Sequence, residues 1–229
     1  MLALARACSP HLSLIAPDVY SHSYRGLRHV CEVYGAEDNP LYIAEHSSSL
    51  TGRAERNVFY ALGEQGAIGF DPWAIDSPFP ERHGPPLVDR YDLAWGPQAA
   101  PLRDSYLAIG RAMQPIIAAQ GTGRLLTFVQ EPGESGVVWQ ARGLEVLITY
   151  SDPDGAGRGM AIQLDEVSLI LLGVGFTATF QSPYPSGESL AVQAVEMGEF
   201  VGDRWVPHYR VEGKRASFLE PGVACVTLA

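Results

Sequence analysis

The sequence is short of positive charge, of cysteine and of long apolar runs, and each shortage excludes something. Against 26 acidic residues stand 16 lysines and arginines, a formal net charge of -10. A chain with that balance repels phosphate backbones and anionic lipid, so neither nucleic acid nor a membrane is a natural partner. The three cysteines, Cys8, Cys31 and Cys225, are scattered and odd in number. They offer no disulfide framework and no metal-ligand spacing. The apolar run VSLILLGVGF has the size of a strand and is too short to span a bilayer. The start, MLALARACSPHLSLIAPDVY, imitates a signal peptide, but Arg6 interrupts its apolar run and LSLIAPDVY reads as a core strand. Ser47, Ser48 and Ser49 lack the G-x-S-x-G context of a serine nucleophile. His22, His46 and Asp18 have no recognised metal spacing, so no metal and no cofactor is expected. There is no internal repeat.

What is present is enough apolar material for a sizeable core: 46% of the 229 residues are hydrophobic and 18% charged, one large domain or two small ones. The first half alternates between two periodicities. HLSLIAPDVY (11–20) is an apolar run with polar residues at its end, as in a buried parallel strand. YRGLRHVCEVYG (24–35) places Leu27, Val30, Cys31 and Tyr34 at helical spacing and stops at glycine. PLYIAE (40–45) predicts a second strand, TGRAERNVFYALGEQG (51–66) a second helix and AIGFDPW (67–73) a third strand. A proline-rich loop, 77–101, carries Tyr91 and Trp95. LRDSYLAIGRAMQPIIAAQG (102–121) predicts a third helix, bent near Pro115. Strands alternating with helices predict a parallel sheet or barrel.

After QGTGR (120–124) the pattern changes to short strands separated by Gly, Pro and Asp, which predicts an antiparallel β-sandwich. The expected division is therefore 1–121 and 122–229. Three strand–helix units need both sheet faces covered, or closure with further strands.

In parallel α/β folds, chemistry gathers beyond the C-terminal ends of the strands. Those positions hold Asp18 and Tyr20, then Glu45 and His46, then Asp71, Trp73 and Asp76. Carboxylates beside aromatic rings suit glycoside hydrolysis: a carboxylate attacks or stabilises an oxocarbenium-like centre and rings stack on sugars. Plainer readings stand beside this one. Glu45 also fits a helix N-terminal acid or a core-edge ion pair, Asp18 and Asp76 fit turn or capping acids, and Trp73 fits plain core.

The ordered set IAPDVY, NPLYIAE and NVFYALGEQGAIGFDPWAID, followed by LRDSYLAIGRAMQPIIAAQGTGR, resembles the end of the catalytic barrel in glycoside hydrolase family 35. GVGFTATF and VQAVEMGEFVGDRWVPHYRVEG resemble the extra C-terminal β domain of the DUF5597 type found in a bacterial branch of that family. The resemblance implies the C-terminal part of a (β/α)8 TIM barrel, with 11–17, 40–45 and 67–71 as its sixth to eighth strands, followed by an antiparallel β-sandwich. It implies a retaining β-galactosidase acting on plant-type β-galactosides, with Glu45 as nucleophile and Tyr20 orienting it. Trp73, His46, Asp71 and Trp95 are then expected to bind substrate, although Asp71 stands where the resemblance leads one to expect a small residue. The family's acid/base glutamate lies in an Asn-Glu pair that this sequence does not contain. The isolated chain is therefore expected to be inactive, with the first half of the barrel supplied by the same protein or a separate chain; a homo-oligomer is left open. The resemblance implies a bacterial periplasmic or secreted setting. The alternative is a non-catalytic module that binds carbohydrate or braces the barrel, with Trp139, Tyr184 and Trp205 as its aromatic platform.

Overall fold

The computed structural model describes residues 2–9, 11–21, 23–47, 53–73, 100–153, 155–183, 189–213 and 215–229. The chain divides into two compact units, Met1–Arg103 and Asp104–Ala229.

The first unit begins with helix α1 (Leu2–Cys8). Strand β1 (Asp18–Val19), helix α2 (Tyr24–Tyr34), strand β2 (Tyr42–His46), helix α3 (Ala54–Phe59) and strand β3 (Gly69–Pro72) follow in order. The three strands form one sheet in the order β1-β2-β3, and both pairings are parallel. The predicted β-α-β-α-β alternation is thus present, although three strands are too few to close a barrel by themselves. Helix α2 starts where Ser23 accepts from the Gly26 amide, a regular N-cap. Helix α3 runs on into a π-helical turn, Tyr60–Glu64, closed by Gln65 N donating to Tyr60 O. The predicted 51–66 helix is therefore α in its first part and π in its second.

The first strand is shorter than predicted. Only Asp18 and Val19 pair, where 11–17 had been expected. The Asn39 side chain explains the difference: its oxygen accepts from Ile15 N (2.9 Å) and its amide donates to Ile15 O (3.0 Å). A buried side-chain amide thus satisfies the backbone groups that a neighbouring strand would have used.

The second unit has three layers. Helices α4 (Ala100–Gly110, which crosses the division between the units) and α5 (Met113–Ala119) precede ten strands. These are β4 (Leu125–Val129), β5 (Gly136–Ala141), β6 (Leu144–Tyr150), β7 (Arg158–Gln163), β8 (Ser168–Val174), β9 (Phe176–Gln181), β10 (Val192–Val201), β11 (Arg204–Val211), β12 (Ala216–Phe218) and β13 (Gly222–Leu228). One sheet has the order β11-β10-β13-β8-β7-β4 and the other β12-β9-β6-β5, and every pairing is antiparallel. The core between the sheets includes Phe128, Val146, Ile148, Leu169, Leu171, Phe176, Phe218 and Val226.

The expected plain sandwich is corrected by the helices. Every residue of β7 is buried, and α5 packs against that strand. Arg158 of β7 donates from Nε to Ser105 Oγ of α4 (2.8 Å). The predicted third helix therefore belongs largely to the β unit, and the division falls at 103/104 and not at 121/122. Its predicted bend is a full break at Arg111–Ala112. Pro115 has no N–H for the Arg111 carbonyl; that carbonyl instead accepts from Phe200 N of β10 (2.7 Å).

Candidate functional site

The face that the β1-β2-β3 sheet turns away from its helices is set by a bulge. Along β2–β3 the register moves from Ile43 opposite Phe70 to His46 opposite Pro72, so Ala44 and Glu45 together stand against Asp71. Ile43, His46, Phe70 and Pro72 are all buried. Simple alternation from Ile43 would have turned Glu45 inward and His46 outward. The extra residue reverses both, the re-aiming of a side chain for which bulges are known.

Glu45 is consequently half-buried on the open face, beside Asp18, its register partner in β1. Partial burial first, and then the Asp18 carboxylate, push the Glu45 carboxyl above its ordinary value. Loss of hydration and a like charge both disfavour the ionised form. On the other flank, Tyr42 donates its hydroxyl to Asp71, and this hydrogen bond pushes the tyrosine up from its ordinary value. The Tyr42 ring lies over Gly69, where an added Cβ would stand 2.2 Å from it. Trp73, just beyond β3, is 57% exposed, and its backbone N donates to His46 O (2.6 Å).

The structure thus brings Glu45, Asp18 and Asp71 to one face of one sheet, with Tyr20 and Trp73 at its C-terminal end. Two expectations are corrected. His46 does not line this face: it is fully buried, its ring 4.9 Å from that of Phe70. Its Nδ1–H donates to Ser47 O (2.8 Å), so Nε2 accepts from the Asn57 amide (2.9 Å), which assigns a neutral ring with its proton on Nδ1. It braces β2 against α3. Tyr20 is 54% exposed, and among the described residues no hydrogen bond joins it to Glu45. Trp95, Tyr91 and Asp76 lie outside the described residues. Among the described residues, no group of His, Cys, Asp and Glu has the arrangement to hold a metal ion.

Sequence reasoning passed over Tyr42 and left Asp18 between a strand-end carboxylate and a turn or capping acid. The signal for Asp18 was its place at the end of an apolar strand, the same signal that singled out Glu45.

In the second unit, Trp139 and Trp205, two of the aromatics of the alternative platform reading, are used for packing. Trp139 packs against the sandwich core, while Trp205 covers Gly198 and tilts against Phe200 at 5.1 Å. Tyr184 lies outside the described residues.

Residues 102–214 match a family described as a domain of unknown function, DUF5597. The match begins within α4, beside the structural division at 103/104. No curated protein matches the chain.

Proposed function

We propose that the first unit presents the nucleophile of a retaining β-galactoside hydrolase and that Glu45 is that nucleophile. The observation that carries this reading is the β2 bulge, which turns Glu45 onto the open face of a parallel sheet, at the strand ends where such folds keep their chemistry. In the first step Glu45 attacks the anomeric carbon and forms a glycosyl ester, while a second carboxyl protonates the departing oxygen. In the second step that same carboxyl takes a proton from water, which displaces Glu45. Partial burial and the Asp18 carboxylate hold the Glu45 carboxyl above its ordinary value, and Trp73 and Asp71 contact the ring. The acid/base is assigned to the earlier strands of a barrel, from the same protein or from a separate chain. This reading rests on strand-end chemistry and on the resemblance to glycoside hydrolase family 35.

A 2-deoxy-2-fluoro-β-galactosyl fluoride tests it. Incubated with these residues in the presence of the earlier barrel strands, it is expected to label Glu45, located by peptide mass. Labelling of a different carboxylate would assign the nucleophile elsewhere. The 229 residues alone are expected to turn over nitrophenyl β-galactoside negligibly; rapid turnover that Glu45→Gln abolishes would overturn the assignment of the acid to another segment.

A further inference from the structure

The second unit has a cleft of about 710 Å³ at one end of its sandwich, within the size range of small-ligand sites. Three connections build it: the turn before β4 with Arg124, the β5–β6 hairpin with Gln140 and Arg142, and the β7–β8 hairpin with Asp165 and Glu166. One buried residue ties the three walls together. Gln163 is 5% exposed. Its oxygen accepts from Arg142 N (2.9 Å), its amide donates to Arg142 O (2.7 Å), and its own backbone N donates to Arg124 O (2.9 Å). The cleft is therefore pre-formed, and a ligand entering it would not have to order its walls.

The lining has a definite chemistry. It holds two guanidiniums, Arg124 and Arg142, and two carboxylates, Asp165 and Glu166, so the formal charges cancel. Asp165 is fixed by accepting from Val167 N (2.9 Å), which holds its carboxyl below the ordinary range. The Arg142–Glu166 approach is loose, at 3.9 Å between largely exposed side chains; a surface pair of that kind contributes little and yields readily to a ligand. Leu164 and Val167, each 45% exposed, supply apolar surface between these groups. Planar forks of both hydrogen-bonding senses, no net charge and a small apolar floor together match a neutral polyhydroxylated chain, whose adjacent hydroxyls both donate and accept and whose C–H faces are apolar.

We propose that this cleft binds a neutral oligosaccharide, at a site separate from Glu45 and not dependent on its chemistry. The test is a titration of the ¹⁵N-labelled 229-residue chain with β-1,4-galactotetraose, with tetragalacturonate as the acidic counterpart. Shifts are expected at 123–124, 140–142 and 163–167, with galactotetraose preferred. Arg142→Ala and Arg124→Ala should each weaken binding about tenfold, with folding checked by unchanged amide spectra elsewhere. Glu45→Gln should leave this binding intact while removing the label predicted above, so either reading can fail without the other. Preference for tetragalacturonate, binding indifferent to both arginine substitutions, shifts confined to the Glu45 face, or no shifts with either tetrasaccharide would each overturn the proposal.

Discussion

Glu45 and His46 are adjacent in sequence, and the structure gives them opposite surroundings. Glu45 shares an open face with Asp18, whereas His46 is enclosed between Phe70 and Asn57. The identity of the acid at the strand end was legible from IAEH, because a carboxylate closing an apolar run needs a reason to be there. Which neighbour faced outward was not legible, because bulges leave little trace in one sequence and reverse the period-two rule wherever they occur. The raised Glu45 carboxyl has a measurable consequence. Its folded value lies above its unfolded one, so the ionised form is the less favourable in the fold. The stabilisation belonging to this group is full below the unfolded value and is lost as pH rises through the folded one. Glu45→Gln should therefore leave the melting temperature unchanged near about pH 3 and raise it near about pH 7. Asp18→Asn should lower the pH at which the Glu45 carboxyl titrates, followed by its ¹³C shift; an unmoved titration would leave burial as the sole cause.

The elements follow the apolar patterns, and the departures have local causes. VSLILLGVGFTATF reads as one run, yet it forms two strands in different sheets, β8 and β9, because Gly175 at φ +77° turns the chain between them. An uninterrupted apolar run is also the mark of a strand covered on both faces, and β7 and β8 are covered in this way, whereas β6 and β9 alternate and are covered on one. That contrast was a readable sign of the helical layer. Where β4, β7 and β8 cross, Phe128, Gly159 and Gly173 lie in one row. The Phe128 ring lies over Gly159 and meets Phe176 edge-on at 4.7 Å, and Phe176 in turn stacks on Phe218 at 4.5 Å. A Cβ on Gly159 would stand 2.3 Å from Leu172 O and 2.7 Å from the Phe128 ring. Gly159→Ala should cost about 1–3 kcal/mol in urea denaturation. Gly110→Ala, where an added Cβ meets nothing within 4 Å, should be neutral or stabilising by about 0.5–1 kcal/mol. Equal losses at the two positions would remove the packing explanation.

At the scale of the whole molecule, the parallel beginning and the antiparallel remainder were both legible, because their periodicities differ over long stretches. The position of the division was not, because a helix covering a sheet carries the same one-sided apolar stripe whichever sheet it covers. The core of the second unit is its own: Phe128, Leu169, Phe176 and Val226 meet one another between its two sheets. Residues 100–229 expressed alone should therefore unfold in a single cooperative step with a β-rich circular dichroism spectrum. A preparation starting at 122 instead, without α4 and α5, should melt lower or aggregate, because Met160 and Ile162 of β7, fully buried in the chain, would lose the helical layer beside them.

The position of β13 has a further consequence, for synthesis. Gly222–Leu228 lies between β10 and β8, in the middle of the large sheet. A nascent chain that has emerged as far as β12 holds that sheet in two separated pieces, β11-β10 and β8-β7-β4, each with an open inner edge and an apolar face. Neither piece can join the other until residue 228 has left the ribosome. Assembly of this unit is then a late event governed by distant pairings, and in the interval before it the two open edges are what a chaperone, or a neighbouring nascent chain, would meet first.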